Sequence, residues 1–163
     1  MKAMEKRYFE DIEVGDSATS PGRTITEGDI VNFAGLTGDF NLIHTDAEFA
    51  TSSIAGQRVA HGLLILSIAS GLFTRTGYYL SMSENLTALM EYSNWKFKKP
   101  VVIGDTIHVV VTVSEKIDSK PEADSGKVVM RREVVNQRGE TVQVGDTAVL
   151  FKKRSRAEVA RQL

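Results

Sequence analysis

His61-Gly62-Leu63-Leu64-Ile65-Leu66-Ser67-Ile68-Ala69-Ser70-Gly71-Leu72-Phe73 is the most continuously apolar stretch of the chain. Its apolar residues fall on nearly every face of a helix, the pattern of a helix enclosed by the rest of its protein. At about 1.5 Å per residue it is too short, and too rich in serine, to cross ~30 Å of hydrocarbon. Such a helix needs a partner layer wide enough to wrap it. Ser67, Ser70, Gly71 and Thr74 recur at i, i+3, i+4 and i+7, a small strip expected to pack closely on a sheet.

Upstream, the spacing is mostly helical. Thr26 reads as an N-cap with Asp29 three positions on, and Ile30, Phe33, Ala34 and Leu36 share one side. A second short helix is expected to start at Asp46, run through Ala47-Glu48-Phe49-Ala50 and end before Gly56. After Gly77 the period changes to that of strands, at 86–97, 105–115, 127–136 and 141–152. Turn signals separate the later ones, at Asp118-Ser119-Lys120-Pro121 and Asn136-Gln137-Arg138-Gly139. Short links predict an antiparallel meander. Helices first and strands later predict an α+β fold, a curved antiparallel sheet wrapped around one long central helix. The expected domain is 1–153, with 154–163 a loose, charged C-terminal tail.

Composition narrows the function. The chain has 163 residues, 42% hydrophobic and 25% charged, ordinary globular proportions for one domain with a self-sufficient core. Twenty Lys and Arg against 21 Asp and Glu leave a net charge of −1, which gives no electrostatic footprint for nucleic acid or an anionic membrane. The absence of cysteine excludes disulfides, a thiol nucleophile and thiolate metal sites. The N-terminal Met1–Arg7 segment has no apolar core, so no secretory signal is expected, and a cytoplasmic location is expected.

The catalytic inventory is small. His44, His61 and His108 are the three histidines; they are far apart and show no metal-ligand spacing, so no metal site is expected. Dinucleotide, P-loop and α/β-hydrolase motifs are absent from the sequence. What remains is Gly38-Asp39-Phe40-Asn41-Leu42-Ile43-His44, a loop after a helix that brings Asp39, Asn41 and His44 within a few residues. A carboxylate beside an imidazole suits acid/base activation of water. The same pattern also serves as turn chemistry, with a histidine that only makes hydrogen bonds. His61 and His108 read as structural residues, and Trp95 with Phe97 as core filling. Lys96, Lys98 and Lys99 read as a solvated strand edge.

The run G-D-x-N-x-x-H, preceded by Leu36-Thr37 and followed by Ala50, resembles the signature of the (R)-specific enoyl-CoA hydratases, MaoC-like dehydratases of the hotdog fold. Val59-Ala60-His61-Gly62-Leu63-Leu64 resembles that family's next block, and Pro100-Val101-Val102-Ile103-Gly104-Asp105-Thr106 its P-V-x-x-G-D-T element. Tyr8-Phe9-Glu10-Asp11-Ile12-Glu13-Val14-Gly15-Asp16 resembles its opening, so the likeness covers residues 8–152. Leu42 departs from it, since the family usually has proline there.

The resemblance implies that Asp39 and His44 are the catalytic pair, holding one water between them. It implies that Gly62 offers its backbone N–H to the thioester carbonyl and that Ser70 lies in the substrate site. Asn41 is expected to brace the loop near bound substrate through local hydrogen bonds. The implied reaction is reversible syn hydration of a trans-2-enoyl-CoA to an (R)-3-hydroxyacyl-CoA. The implied partners are an acyl-CoA thioester and a second copy of the chain, in a homodimer or higher even oligomer. No cofactor is expected, coenzyme A being the substrate's carrier. The alternatives are a hotdog thioesterase and a non-catalytic acyl-thioester binding or regulatory module.

Overall fold

Alternation of valine and isoleucine with polar residues builds the sheet. The computed structural model describes residues 6–118 and 123–155. Two short strands, β1 (Ser17–Thr19) and β2 (Arg23–Thr24), precede four of 12 residues each: β3 (Leu86–Phe97), β4 (Thr106–Ile117), β5 (Ser125–Asn136) and β6 (Thr141–Lys152). In β4 the buried residues are Ile107, Val109, Val111 and Val113, with His108 on the opposite face. In β5 they are Gly126, Val128, Met130, Arg132, Val134 and Asn136. That period of two puts one face of the sheet on the core.

All pairings are antiparallel, in the order β1-β4-β5-β6-β3 with β2 also on β4. The meander expected from the short links holds for β4, β5 and β6 only. Strand β3 crosses to the far edge beside β6. The reason lies in residues 98–105, which form no hairpin. They run beneath the central helix instead, with Val102 bridged to Val59 and the Ala60 N–H donating to the Val101 carbonyl at 2.8 Å.

The described residues form the α-helices α1 (Glu27–Thr37), α2 (Leu42–Thr45), α3 (Ala47–Ala50), α4 (Gly62–Phe73) and α5 (Gly77–Met82). Thr26 caps α1 with the expected reciprocal box to Asp29, and Asp46 caps α3. Helix α5 stands where the strand period was expected to begin; Thr76 caps it by accepting from the Tyr79 N–H at 3.0 Å. Leu36, expected on the buried side of α1, is 83% exposed. Ile30 and Ala34 carry the burial there.

Helix α4 packs on the sheet through Leu64, Ile65, Ile68, Ala69, Leu72 and Phe73, side chains whose burial contributes roughly 1.5–3 kcal/mol each for the large ones. Of the small strip, Ser67, Gly71 and Thr74 are exposed, and Ser70 alone, half-buried, reaches the sheet at Tyr92. Close packing on the sheet is therefore not the strip's role, because the bulky face outcompetes it for the core. No described helix is long and apolar enough to cross a membrane. Arg154 pairs with Asp11 and donates its backbone N–H to Glu10, whereas residues 156–163 of the expected tail lie outside the described residues.

Candidate active site

The site begins where α1 ends. Gly38 closes the helix in the left-handed region at φ 76°, its N–H on the Ala34 carbonyl at 2.8 Å, a conformation that a side chain resists. The reversed chain presents Asp39, whose Oδ1 accepts from the Asn41 N–H at 3.3 Å. Asn41 then caps α2, accepting from the Ile43 N–H at 3.2 Å. Leu42 occupies the first position of that turn, where a proline fits because the N–H is unneeded. Its side chain is 48% exposed, so the departure from the family pattern leaves the loop's hydrogen bonds in place.

One turn of α2 carries His44 inward, to 8% exposure. Its Nδ1 lies 2.7 Å from the Val59 carbonyl. A carbonyl only accepts, so Nδ1 carries the proton, and in the neutral ring Nε2 is a bare acceptor. His61 is 2% exposed and its Nε2–H donates to the backbone carbonyl of Asp39 at 2.9 Å. The two rings lie against each other, centroids 3.8 Å apart and planes tilted by 31°, and the Phe33 ring lies 5.0 Å from that of His61. The His61 Nδ1 has no hydrogen-bond partner among the described residues.

One nitrogen of each ring and a carboxylate oxygen of Asp39 lie within 4.8 Å of one another. Sequence spacing concealed this grouping, and His61 was expected to be merely structural. It ties the Asp39 loop to the His44 ring. The three ligand types are ones that a metal accepts, and each ring keeps one nitrogen free of a carbonyl. The other nitrogen of each is committed to one.

Beside His44 opens a cleft of about 670 Å³, walled by Ile43, Val59, Gly62, Phe97, Val101 and Gln143 among others. Gly62 opens α4, where backbone N–H groups are left unpaired and the helix dipole favours negative charge. A Cβ at Gly62 would sit 2.8 Å from the Phe97 ring, so a side chain there would have to displace that ring. Gln143 holds this helix start, donating to the Gly62 carbonyl at 2.9 Å while accepting from the Trp95 indole at 3.0 Å. Phe97 was expected in the core but is 56% exposed, because it walls this cleft. Lys98 and Lys99 reach its rim, Lys99 paired with Glu140 at 2.6 Å.

Ser70 lies apart from the Asp39/His44 pair. It sits about 12 Å along α4 from Gly62, accepting from the Tyr92 hydroxyl at 3.1 Å.

Residues 12–136 match the family model described as "MaoC like domain". The chain belongs to the MaoC-like dehydratase family. It is 35% identical over 148 residues to an (R)-specific enoyl-CoA hydratase of Rhodospirillum rubrum, covering 90% of this chain and 93% of that one. It is 44% identical to protein MaoC of Klebsiella aerogenes over 68% of this chain, but spans only 32% of that longer protein. Among solved structures, a monoamine oxidase regulatory protein from Archaeoglobus fulgius superposes with a TM-score of 0.87 at 39% identity, over 95% of this chain and all of that one. A Mycobacterium tuberculosis protein described as a double hotdog fold, 18% identical, superposes at 0.78 over 93% of this chain and 46% of that one. The sheet and its enclosed α4 form a hotdog.

Proposed function

We propose that this MaoC-like protein is an (R)-specific enoyl-CoA hydratase, adding water reversibly and syn to a trans-2-enoyl-CoA to give an (R)-3-hydroxyacyl-CoA. The observation that carries the reading is the His44 tautomer. With Nδ1 committed to the Val59 carbonyl, Nε2 is free to take a proton from water beside the Asp39 carboxylate. The water's oxygen bonds to C3 as one O–H bond breaks. Negative charge moves to the thioester oxygen, where the Gly62 N–H meets it, and C2 then receives a proton from the Asp39/His44 pair. The thioester itself acidifies C2, so this reading calls for no metal or redox cofactor. The hydratase names of relatives support it at the level of the hydro-lyase class.

The same reading includes a second copy of the chain. Among the described residues, strand β3 pairs only with β6 and so leaves its other edge free. Leu36, Phe40, Phe49, Ile54 and Leu63 are exposed around the site, apolar surface that a homodimer would cover.

The test is to incubate the protein with trans-2-enoyl-CoA esters, following loss of enoyl absorbance, free thiol release and product chirality. Absorbance loss with an (R) product and no thiol supports the hydratase. Thiol release points to a thioesterase. The second reading, a binding module, is favoured by the regulatory description of the Archaeoglobus neighbour. Tight acyl-CoA binding with no turnover would establish it instead.

A further inference from the structure

Arg132 lies on the core face of β5 with 3% of its surface exposed. No carboxylate among the described residues pairs with it, and its Nε has no hydrogen-bond partner there. Its neighbours are aromatic: the guanidinium carbon is 4.5 Å from the centre of the Phe73 ring and 5.8 Å from that of Tyr92. A long 3.5 Å contact joins its Nη1 to the Tyr92 hydroxyl, which donates onward to Ser70 at 3.1 Å. Burial pushes the guanidinium's pKa down, with only Tyr92 acting against it. Taking a guanidinium out of water is costly unless an anion meets it.

The position of this cluster says which anion fits. Gly62, Leu66 and Ser70 recur every fourth residue on one face of α4. That face meets β3 at both ends, through Phe97 against Gly62 and Tyr92 against Ser70. Trp95 lies between them on the strand, edge-on to Tyr92 with ring centres 5.5 Å apart. A Cβ at Gly145 would overlap the Trp95 ring, which covers this buried glycine of the opposing strand. Gly62, Leu66, Ser70, Tyr92, Trp95 and Phe97 keep some exposure, whereas Arg132 at the end of the row is buried. The row starts at the Gly62 N–H, where the proposed reading puts the thioester, and ends about 12 Å along the helix. A site for a plain alkyl chain would end in apolar side chains. This one ends in a guanidinium, a phenol and a serine hydroxyl.

We infer that Arg132 anchors a carboxylate at the far end of the acyl group, so the substrates are 2-enoyl thioesters with a terminal carboxylate rather than alkyl chains. Ser70 and the Tyr92 hydroxyl complete the anchor. The inference rests on the hydratase reading for the direction of the acyl chain, but its test does not require turnover.

Saturated ω-carboxyacyl-CoA and alkyl acyl-CoA of equal carbon number are titrated calorimetrically into the full chain, over a series of lengths. Hydrogen bonds to a charged group predict a preference for the carboxylate ligand of about tenfold to a hundredfold. That preference is expected to peak at one length and vanish for shorter chains. Arg132→Met, which fills similar volume without the charge, abolishes the preference, and Arg132→Lys keeps part of it. Equal or weaker binding of the carboxylate ligand by the natural protein at every length overturns the anchor, with no variant needed. So does a preference that survives in folded Arg132→Met, or one in which that variant changes only dimer formation. The matching unsaturated pair separates the two readings. A carboxylate preference without hydration refutes the hydratase and keeps the anchor, whereas hydration of both esters without a preference refutes the anchor alone.

Discussion

The two ends of helix α4 make an instructive contrast. At its N-terminus, Gly62 meets a constellation in which nearly every polar group is committed: His44 to Val59, His61 to Asp39, and Gln143 to both Gly62 and Trp95. Those bonds leave one imidazole nitrogen bare on His44. At the other end, Ser70, Tyr92 and Arg132 share two contacts of 3.1 and 3.5 Å, and a buried cation stays uncompensated. One end is built to hold reacting groups in a single geometry, and the other to await a partner. If so, substitutions at the two ends should separate turnover from ligand discrimination.

The largest effect is expected at the tight end. Asp39→Ala and His44→Ala should each lower kcat for hydration by ~10²–10⁴, the usual contribution of an acid/base group. Because both act on one water, the double variant should be little worse than either single one. Near-normal kcat in either folded variant would remove the pair from the mechanism.

Gly62 tests the backbone donor. Gly62→Pro deletes the N–H at a helix position that tolerates proline, and kcat should fall by ~10²–10³. Gly62→Ala is the control, since it keeps the N–H and crowds only the Phe97 ring, which is 56% exposed and able to swing aside. Equal losses in the two variants would mean that crowding, rather than the donor, matters.

His61 sharpens the comparison further. His61→Gln keeps a donor for the Asp39 carbonyl but loses the ring against His44, whereas His61→Phe keeps the ring and loses the donor. Loss of alignment in the Phe variant should cost roughly 10–100-fold in kcat, with KM nearly constant and partial recovery in the Gln variant. A rise in KM alone would show that His61 shapes the cleft without aligning the reacting groups.

The smallest effect concerns stability, at Asp105. Burial tends to raise the Asp105 carboxyl, but bonds from Arg138 at 2.9 Å, Gln137 at 2.7 Å and the Val102 N–H at 3.1 Å hold it below its ordinary value. Glu140, bonded by Asn136, Lys99 and Arg138, is pulled down to about 2. A carboxyl depressed in the fold stabilises it above the unfolded value of ~3.9–4.3, and that gain is lost as pH falls through the folded one. Asp105→Asn should therefore lower Tm at neutral pH, with the gap to the natural protein closing below about pH 4. A gap constant down to pH 2 would assign the loss to packing.

Much of this was legible locally. The capping box at Thr26 and Asp29, the two-residue alternation in β4 and β5, and the Gly38–His44 run depend on near neighbours, so periodicity and spacing expose them. Helix α5 was missed although Thr76 offered a cap, because tyrosines and a leucine there mimic the start of a strand. Phe97 and Leu36 were misplaced because an apolar side chain looks the same in a core as beside a cleft.

The sequence by itself determined α1, α3, α4 and the four long strands, that one helix is wrapped by a sheet, and that Asp39 and His44 share one short segment. Only the tertiary structure decided which face of α4 is buried, that β3 crosses to the edge beside β6, that the His61 ring lies on His44, and that Arg132 is buried with no acid partner among the described residues. The reason is physical. Periodicity reports which faces exclude water, whereas a site depends on which polar groups meet across long loops. Those meetings are fixed by packing far from them in the chain.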